Sequence, residues 1–533
     1  MKVRYSLVLV MLGILCIFPM IEFNSSVTVV TDFSSTDRPI TRTSVALAQL
    51  TPHAPIDISS DSQFTALGFP GNGSESDPYR IEDLEILGTP GFGCITIHGS
   101  VLGYYEIRGC SILDSNPAPG ISLSAGHGLI ESCEIYNCSI GIVLESDGHN
   151  LVSTEIHNTS AAITSFDADN IVIEDSTFYD GNELFFDEAS SLTITGNSFA
   201  GMQVSIGNGV GLTITDNTFD SQDTTDFLSI YDSQIGTIRG NVFNINSIAG
   251  LMIQRCDSLL IQECVFIASG PDGVGQQGID SRGFDPLSDI TIEDCTFQSV
   301  NCDASYIGEG LLLNDCTLTS GSIYLTSSVA GEVSNNIITS GGISLYNSSG
   351  STIFNNTLLD CDYHGISARG NCTDVVISTN IIHGQGEADL FGLNLNSDEM
   401  IVHNNIIETF DRGIQLEASG CQITNNSVSD NNIGININEG SSSNQLYYNI
   451  LYANTQNAND DGSNNIWDDG VSLGNYWSNL IAPGEYTIPG TADSVDRYAQ
   501  PYRIAGSIPL VLIMVAGLGV VAVVGVVVCL KRK

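Results

Sequence analysis

Lysine is almost missing from this 533-residue chain: it occurs at Lys2, Lys531 and Lys533 and nowhere between. Over residues 24–507 there are 60 Asp and Glu against 11 Arg, a net charge of −49. Phosphate backbones are held by clustered Lys and Arg, so a surface of this sign excludes nucleic acid as a partner. Polyanionic sugars are disfavoured on the same ground. What remains is a solvated acidic coat, or the recruitment of divalent cations. The eight His are scattered, no His or Met cluster exists, and the cysteines show no Cys-x-x-Cys spacing, which argues against zinc and copper centres. Tryptophan is nearly absent too, with Trp467 and Trp477 both close to the C-terminal end.

Long apolar runs are confined to the two ends. From Ile508 to Leu530 there are twenty-three uncharged residues, long enough to cross a hydrocarbon core as a helix, followed by the basic stub at 531–533. The positive-inside rule puts that stub in the cytoplasm and everything before it outside. At the other end, Lys2 and Arg4 precede an apolar run from Leu7 to Phe18, the layout of a secretory signal over 1–23, or of an uncleaved anchor. Residues 24–55 are rich in Ser and Thr and read as a linker. Eight sequons, at Asn24, Asn72, Asn137, Asn158, Asn347, Asn355, Asn371 and Asn425, suit an exported glycoprotein.

Between these ends the chain repeats itself. Segments such as Leu192 to Phe199 (LTITGNSF), Leu212 to Phe219 (LTITDNTF) and Ile290 to Phe297 (ITIEDCTF) share the core apolar-x-x-[N/C/S/T]-x-apolar. The polar or thiol marker recurs as Cys110, Cys133, Thr154, Ser176, Asn197, Asn217, Asn241, Cys264, Cys295, Cys316, Asn336, Asn356, Asn380, Asn405, Asn426 and Asn449. All but one of the fifteen intervals are 20 to 25 residues, the length of one solenoid coil. Period-two alternation before the marker makes a strand with one inward face, and the three-residue step onto the marker breaks that parity, which signals a bend. A second strand follows as Gly-apolar-x-apolar, at Gly120, Gly141, Gly342 and Gly413. The fold predicted is all-β: a parallel β-helix of about seventeen rungs over 56–452 with a C-terminal cap over 453–503.

Marker identities come in blocks, like stacked on like. Adjacent Asn amides pointing inward at one corner can bond along the axis as a ladder, and a Cys there acts as a small buried hydrophobe. Cys94, Cys138, Cys256, Cys302, Cys361, Cys372 and Cys421 lie outside the series and stay open to one or two disulfides.

The entry GNGSESDPYRIEDLEI (Gly71 to Ile86), the Gly-Ile-x-Leu coils, the Asn-x-Phe corners and the closing GNYWS (Gly474 to Ser478) resemble the NosD-like, or CASH-type, right-handed β-helix proteins of prokaryotic and especially archaeal surfaces. The resemblance spans about Pro55 to Tyr502 and implies the fold. For activity it implies less, because that family pools carbohydrate-binding and carbohydrate-hydrolysing proteins with surface-layer proteins.

Chemistry is sparse. Gly126-His127-Gly128 copies a tripeptide of polygalacturonase-like hydrolases without the carboxylates that must accompany it. Gly283-Phe284-Asp285-Pro286 resembles part of an epimerase motif but lacks its His. The longest interval, between Cys264 and Cys295, holds Asp272, Asp280, Asp285 and Asp289 and is the predicted ligand or cation contact. Asn457, Asn459, Asp461, Gly462 and Asp468 fit a degenerate calcium loop, so calcium is the cofactor the residues suggest. The chain therefore reads as a membrane-anchored extracellular β-helix with a structural role or a role in binding polysaccharide or other surface proteins. The alternative is a carbohydrate-active enzyme, which would need two carboxylates, or an acid and a base, converging from adjacent rungs.

Overall fold

The computed structural model describes residues 50–502 except 90, 221–225, 247, 269–275 and 282–286. The apolar segments at 1–23 and 508–530, Asp272 and Asp285 lie outside the described residues. Among the described residues no helix is long and apolar enough to cross a membrane.

Each coil contributes a short strand to each of three parallel sheets, and the stack makes about eighteen turns. Sheet 1 carries the strands that follow the marker, such as Glu134–Tyr136, paired in register with Ser111–Leu113 before it and Glu155–His157 after it. Sheet 2 carries the Gly-apolar strands, such as Ile140–Leu144, and sheet 3 those that precede the marker, such as Gly128–Glu131. The stack starts earlier than 56, because Thr51–His53 pairs with Leu84 to Ile86. In-register stacking puts like side chains one strand spacing apart, and Phe178, Phe199, Phe219, Phe243, Phe266 and Phe297 form an interior column with ring centroids 4.8 to 5.0 Å apart. The bend before each marker needs a left-handed residue, as at Asp175 (φ 48°), Asp216 (φ 57°) and Asn404 (φ 60°). Glycine fills that seat at 196, where an added Cβ would lie 2.5 Å from Asp175 Oδ1 of the preceding coil.

The markers are buried and form the predicted ladder. Asn356 Nδ2 donates to Asn380 Oδ1 (3.0 Å) and Asn380 Nδ2 to Asn405 Oδ1 (2.9 Å), while each Oδ1 also accepts the backbone N–H of the preceding marker. Each amide donates as well to a carbonyl of the coil before, as Asn217 does to Ile194 (2.8 Å). Cysteine takes the same seat: Cys264 Sγ donates to Ile238 O (3.5 Å) and Cys316 Sγ to Ile292 O (3.8 Å). All twelve described cysteines are buried free thiols, so the disulfides left open above do not form among them.

A second ladder, absent from the marker series, runs at the corner between sheets 2 and 3. There Ser328 N bonds Ser348 Oγ, Ser348 N bonds Cys372 Sγ, Cys372 N bonds Ser397 Oγ, and Cys421 N bonds Asn444 Oδ1. Both ladders donate toward the C-terminal end, and each finishes on a carboxyl group whose oxygens accept. The first passes from Asn449 to Asn475 (3.0 Å) and ends on Asp496, which also takes the Trp477 indole N–H (2.9 Å). The second passes from Asn444 to Asn465 (3.0 Å) and ends on Asp460, which takes the Trp467 indole N–H (2.9 Å). Both aspartates are wholly buried. An antiparallel hairpin of Gly484–Thr487 and Val495–Pro501 covers this end. At the other end the helix Asp61–Ala66 lays Phe64 on Tyr79, centroids 4.4 Å apart.

Replacing Asn380 by Ala strands the Asn356 N–H and amide in a dry corner. Urea unfolding followed by circular dichroism should show a loss of about 2–5 kcal/mol, against about 0.5 kcal/mol or less for Asn396→Ala on the outer face.

Candidate functional site

Along sheet 2 the outward residues of successive strands form one column in register: Asp280, Asp303, Tyr324, Ser344, Ser367, Asn394, Gln415, Asn436 and Asn459. Outward side chains of a solenoid are usually wet. Here Ser367 is 4 % exposed, Asn394 6 %, Gln415 0 % and Asn436 7 %, so this stretch is the floor of a trough.

One side of the trough is aromatic and cationic. His364 stacks on Phe391 (centroids 4.7 Å apart), the Arg412 guanidinium lies 5.1 Å over the same ring, and Arg412 donates to Gln415 Oε1 (2.7 Å). Burial, helped by the charge of Arg369, lowers His364 to about 4, so its Nδ1 is free to accept the Phe391 N–H (3.2 Å) at neutral pH. The other side is built of amides around a carboxylate: Asn396 and Asn438 donate to Glu417 at 3.0 and 2.7 Å. Beside it a polar notch of about 250 Å³ opens between Asn371, Thr373, Asn396, Asp398 and Glu417. Two floor groups are left over. Ser367 Oγ is buried without a hydrogen-bond partner, and no hydrogen bond to the Asn394 amide occurs among the described residues. A buried hydroxyl without a partner costs free energy, and a ligand hydroxyl would relieve it.

The predicted contact residues separate. Asp280 stands in the floor column beside Asp303, whose carboxylate accepts the Ser305 hydroxyl, and both are buried. Asp289 lies on sheet 3 in the strand Leu287–Glu293, at φ 50°. Of the calcium-loop residues, Asn459 and Asp461 come together at the C-terminal end of the column, with Asn459 donating to both Asn436 (3.1 Å) and Asp461 (2.8 Å). Asn457 donates instead to Asn479 (3.1 Å), and Asp468 is held by Arg497. Among the described residues no three His, Cys, Asp or Glu side chains converge as metal ligands do. The signal for the trough was in the repeat itself: in Gly-apolar-x-apolar, x is the floor residue, and at 394, 415 and 436 it is an amide. Ser367 and Asp303 carry no such mark.

Family descriptions match two stretches of the chain: "Right handed beta helix region" over 119–281 and "Periplasmic copper-binding protein (NosD)" over 305–481. The fold is that of a right-handed parallel β-helix, and residues 305–481 are similar to the NosD family. No curated protein matches it. Similar solved structures include a periplasmic alginate epimerase (12 % identity over 75 % of this chain and 77 % of that one, TM-score 0.26). The tailspike protein of an E. coli bacteriophage in complex with a pentasaccharide aligns at 12 % identity over 69 % and 70 %, with a TM-score of 0.32. A PL6 family alginate lyase aligns at 10 % identity over 85 % and 94 %, with a TM-score of 0.29. Among the described residues the side chains do not fit the copper centre that the NosD description would imply. His98 faces Asp57, His157 sits between two tyrosines, His403 contacts Asn404, and the interior thiols of the first ladder donate to backbone carbonyls.

The Asp468–Arg497 pair pins the cap loop to the last strand of sheet 1. Burial raises the Asp468 carboxyl, but hydrogen bonds from Arg497 and Gly470 outweigh it and leave the group below its ordinary value. A depressed carboxyl adds stability above its unfolded value and loses it as pH falls through the folded one. Arg497→Gln should therefore lower the melting temperature at pH 7, and the gap to the parent should close as melts are taken down toward pH 2.5.

Proposed function

We propose that this protein is an extracellular surface β-helix, tethered to its membrane by residues 508–530, whose sheet 2 trough binds a neutral polysaccharide lying along the stack. The observation that carries the reading is the buried polar floor with Ser367 and the Asn394 amide left over. A sugar hydroxyl both donates and accepts, so it can satisfy a serine hydroxyl, an amide and a carboxylate such as Glu417 in turn. Coils repeat about every 4.8 Å, so equivalent groups recur along the axis and suit an extended repeating ligand. The net charge of −49 over 24–507 turns away uronate-rich chains, and a neutral glycan pays no such penalty.

Affinity electrophoresis of the full-length protein in mild detergent, through gels cast with single neutral polysaccharides, tests this. At least one should retard the protein, and Ser367→Trp, which fills the floor, should weaken that retardation at least tenfold while the variant keeps a cooperative melt at a somewhat lower temperature. Equal retardation of parent and variant would move the binding site elsewhere, and no retardation by any neutral polysaccharide would end the reading.

A further inference from the structure

Seven of the sequons lie among the described residues, and the fold ties up the asparagine side chains of six. Asn137 Nδ2 donates to Asp114 Oδ1 (3.1 Å), Asn158 to Asn137 Oδ1, Asn355 to Asn335 Oδ1 (2.6 Å) and Asn425 to Asn404 Oδ1. Each of these four reaches along the axis to the coil before it. Two of them are sequons only because the corner asks for Asn-Asn before a strand. In Asn355-Asn356-Thr357 and Asn425-Asn426-Ser427 the middle residue is the buried marker and the third opens a sheet 1 strand. Asn72 and Asn347 are held by their oxygens, which accept the N–H of Ser74 (3.0 Å) and of Asn371 (2.9 Å). The Ser74 hydroxyl in turn accepts the Asp77 N–H (3.2 Å).

Asn371 differs from all six. Neither its side chain nor the Thr373 hydroxyl two residues on makes a hydrogen bond among the described residues, and both line the polar notch of about 250 Å³ beside Glu417. Exposure alone does not single it out, since Asn137, Asn158 and Asn425 are exposed as well. What does is the corner between sheets 2 and 3. There the buried Cys372 donates its N–H to Ser397 Oγ (2.8 Å), which fixes the turn and leaves the residues on either side of it free. Glycine is required just before, at φ 74°, because a Cβ on Gly370 would lie 2.4 Å from Asn347 Oδ1. The other walls of the notch include Asn396, Asp398 and Glu417, whose oxygens can accept hydroxyl groups.

We propose that Asn371 carries an N-linked glycan whose first sugar sits in the notch, and that the six tied sequons stay bare. The co-reactant is a lipid-phosphate-linked oligosaccharide. Asn371 Nδ2 bonds to C1 of its first sugar as the C1–O bond to phosphate breaks; the lipid phosphate leaves with that electron pair, and one amide proton is released to solvent. Thr373 supplies the hydroxyl that the sequon demands. A sugar on one of the four axial nitrogens would be bonded to an atom that already touches a neighbouring side chain, so ring and side chain compete for one place. At Asn371 no such neighbour stands in the way, and the glycan rises from the Glu417 side of the trough.

The proposal rests on the extracellular part of the reading above and not on the trough. Full-length protein would be taken in mild detergent from the cells that make it, and its peptides read by mass spectrometry with fragmentation that keeps the Asn–sugar bond. A glycan mass should appear on the peptide carrying Asn371, persist in Thr373→Ser and Ser367→Trp, and be lost in Thr373→Val and Asn371→Gln. Peptides carrying Asn72, Asn137, Asn158, Asn347, Asn355 and Asn425 should have their unmodified masses. Protease added to intact cells separates the two ways to fail. If it digests the protein from outside and Asn371 is bare, the proposal alone falls. If the protein is shielded and bare, the extracellular reading falls and takes the proposal with it. Glycans on the tied sequons as often as on Asn371 would also overturn it.

Discussion

The constraint on which the rest of this fold depends is a directional one: buried corner amides donate toward the C-terminal end, coil after coil. A backbone that turns three times per coil buries polar groups at each bend, and a buried donor without an acceptor is costly. Asn solves this by accepting at Oδ1 from one neighbour while donating through Nδ2 to the other and to a carbonyl behind it. The solution propagates, because each amide creates the need for the next. The shorter run Asn197–Asn217–Asn241 ends on backbone carbonyls beside Cys264, while the run from Asn336 through Asn475 ends on Asp496 and the second ladder on Asp460. The two tryptophans and the terminal hairpin follow from them, since a carboxylate can be buried there only with other donors around it. Thiols enter the same series because a weak S–H donor can still reach the carbonyl behind it.

Much of this was legible in the amino-acid sequence, for a physical reason. In-register stacking demands the same residue class at the same place in every coil, so the sixteen markers from Cys110 to Asn449 announce both the coil length and the corner. Asn475 escaped because Ser472 stands three before it, where the pattern asks for an apolar residue; the cap replaces the strand there with a loop tied by Asp469. The second ladder escaped because Ser, Cys and Asn alternate along it, and no single letter repeats. The candidate site was harder. Asp272, Asp280, Asp285 and Asp289 are close in sequence, but a solenoid separates neighbours by sheet and joins residues one coil apart. Asp280 meets Asp303, twenty-three residues away, and not Asp289 nine residues away.

That geometry also explains where function can sit on such a scaffold. The interior columns are occupied by Ile, Leu and Phe and are closed to ligands, so chemistry is confined to the outward columns. Along one column of sheet 1 the outward residues are Ser, Thr, Val and Ile from Thr177 to Ile450, whereas sheet 3 presents charged residues such as Arg108 and Glu131. The run of amides on sheet 2 is distinct from both, and it gains from the scaffold the fixed spacing of about 4.8 Å that neighbouring strands impose.

If stability and register pass only between neighbouring coils, a whole coil is a removable unit and a part of one is not. Joining Asn335 to Asn356 deletes one coil and leaves Cys316 N facing the Asn356 amide that Asn336 faced before. Limited proteolysis of this deletion, beside one lacking only residues 336–345, measures the claim directly. The whole-coil deletion should resist digestion as the parent does, while the half-coil deletion, with its inward residues thrown out of register, is cut rapidly. Equal sensitivity of the two would contradict the account.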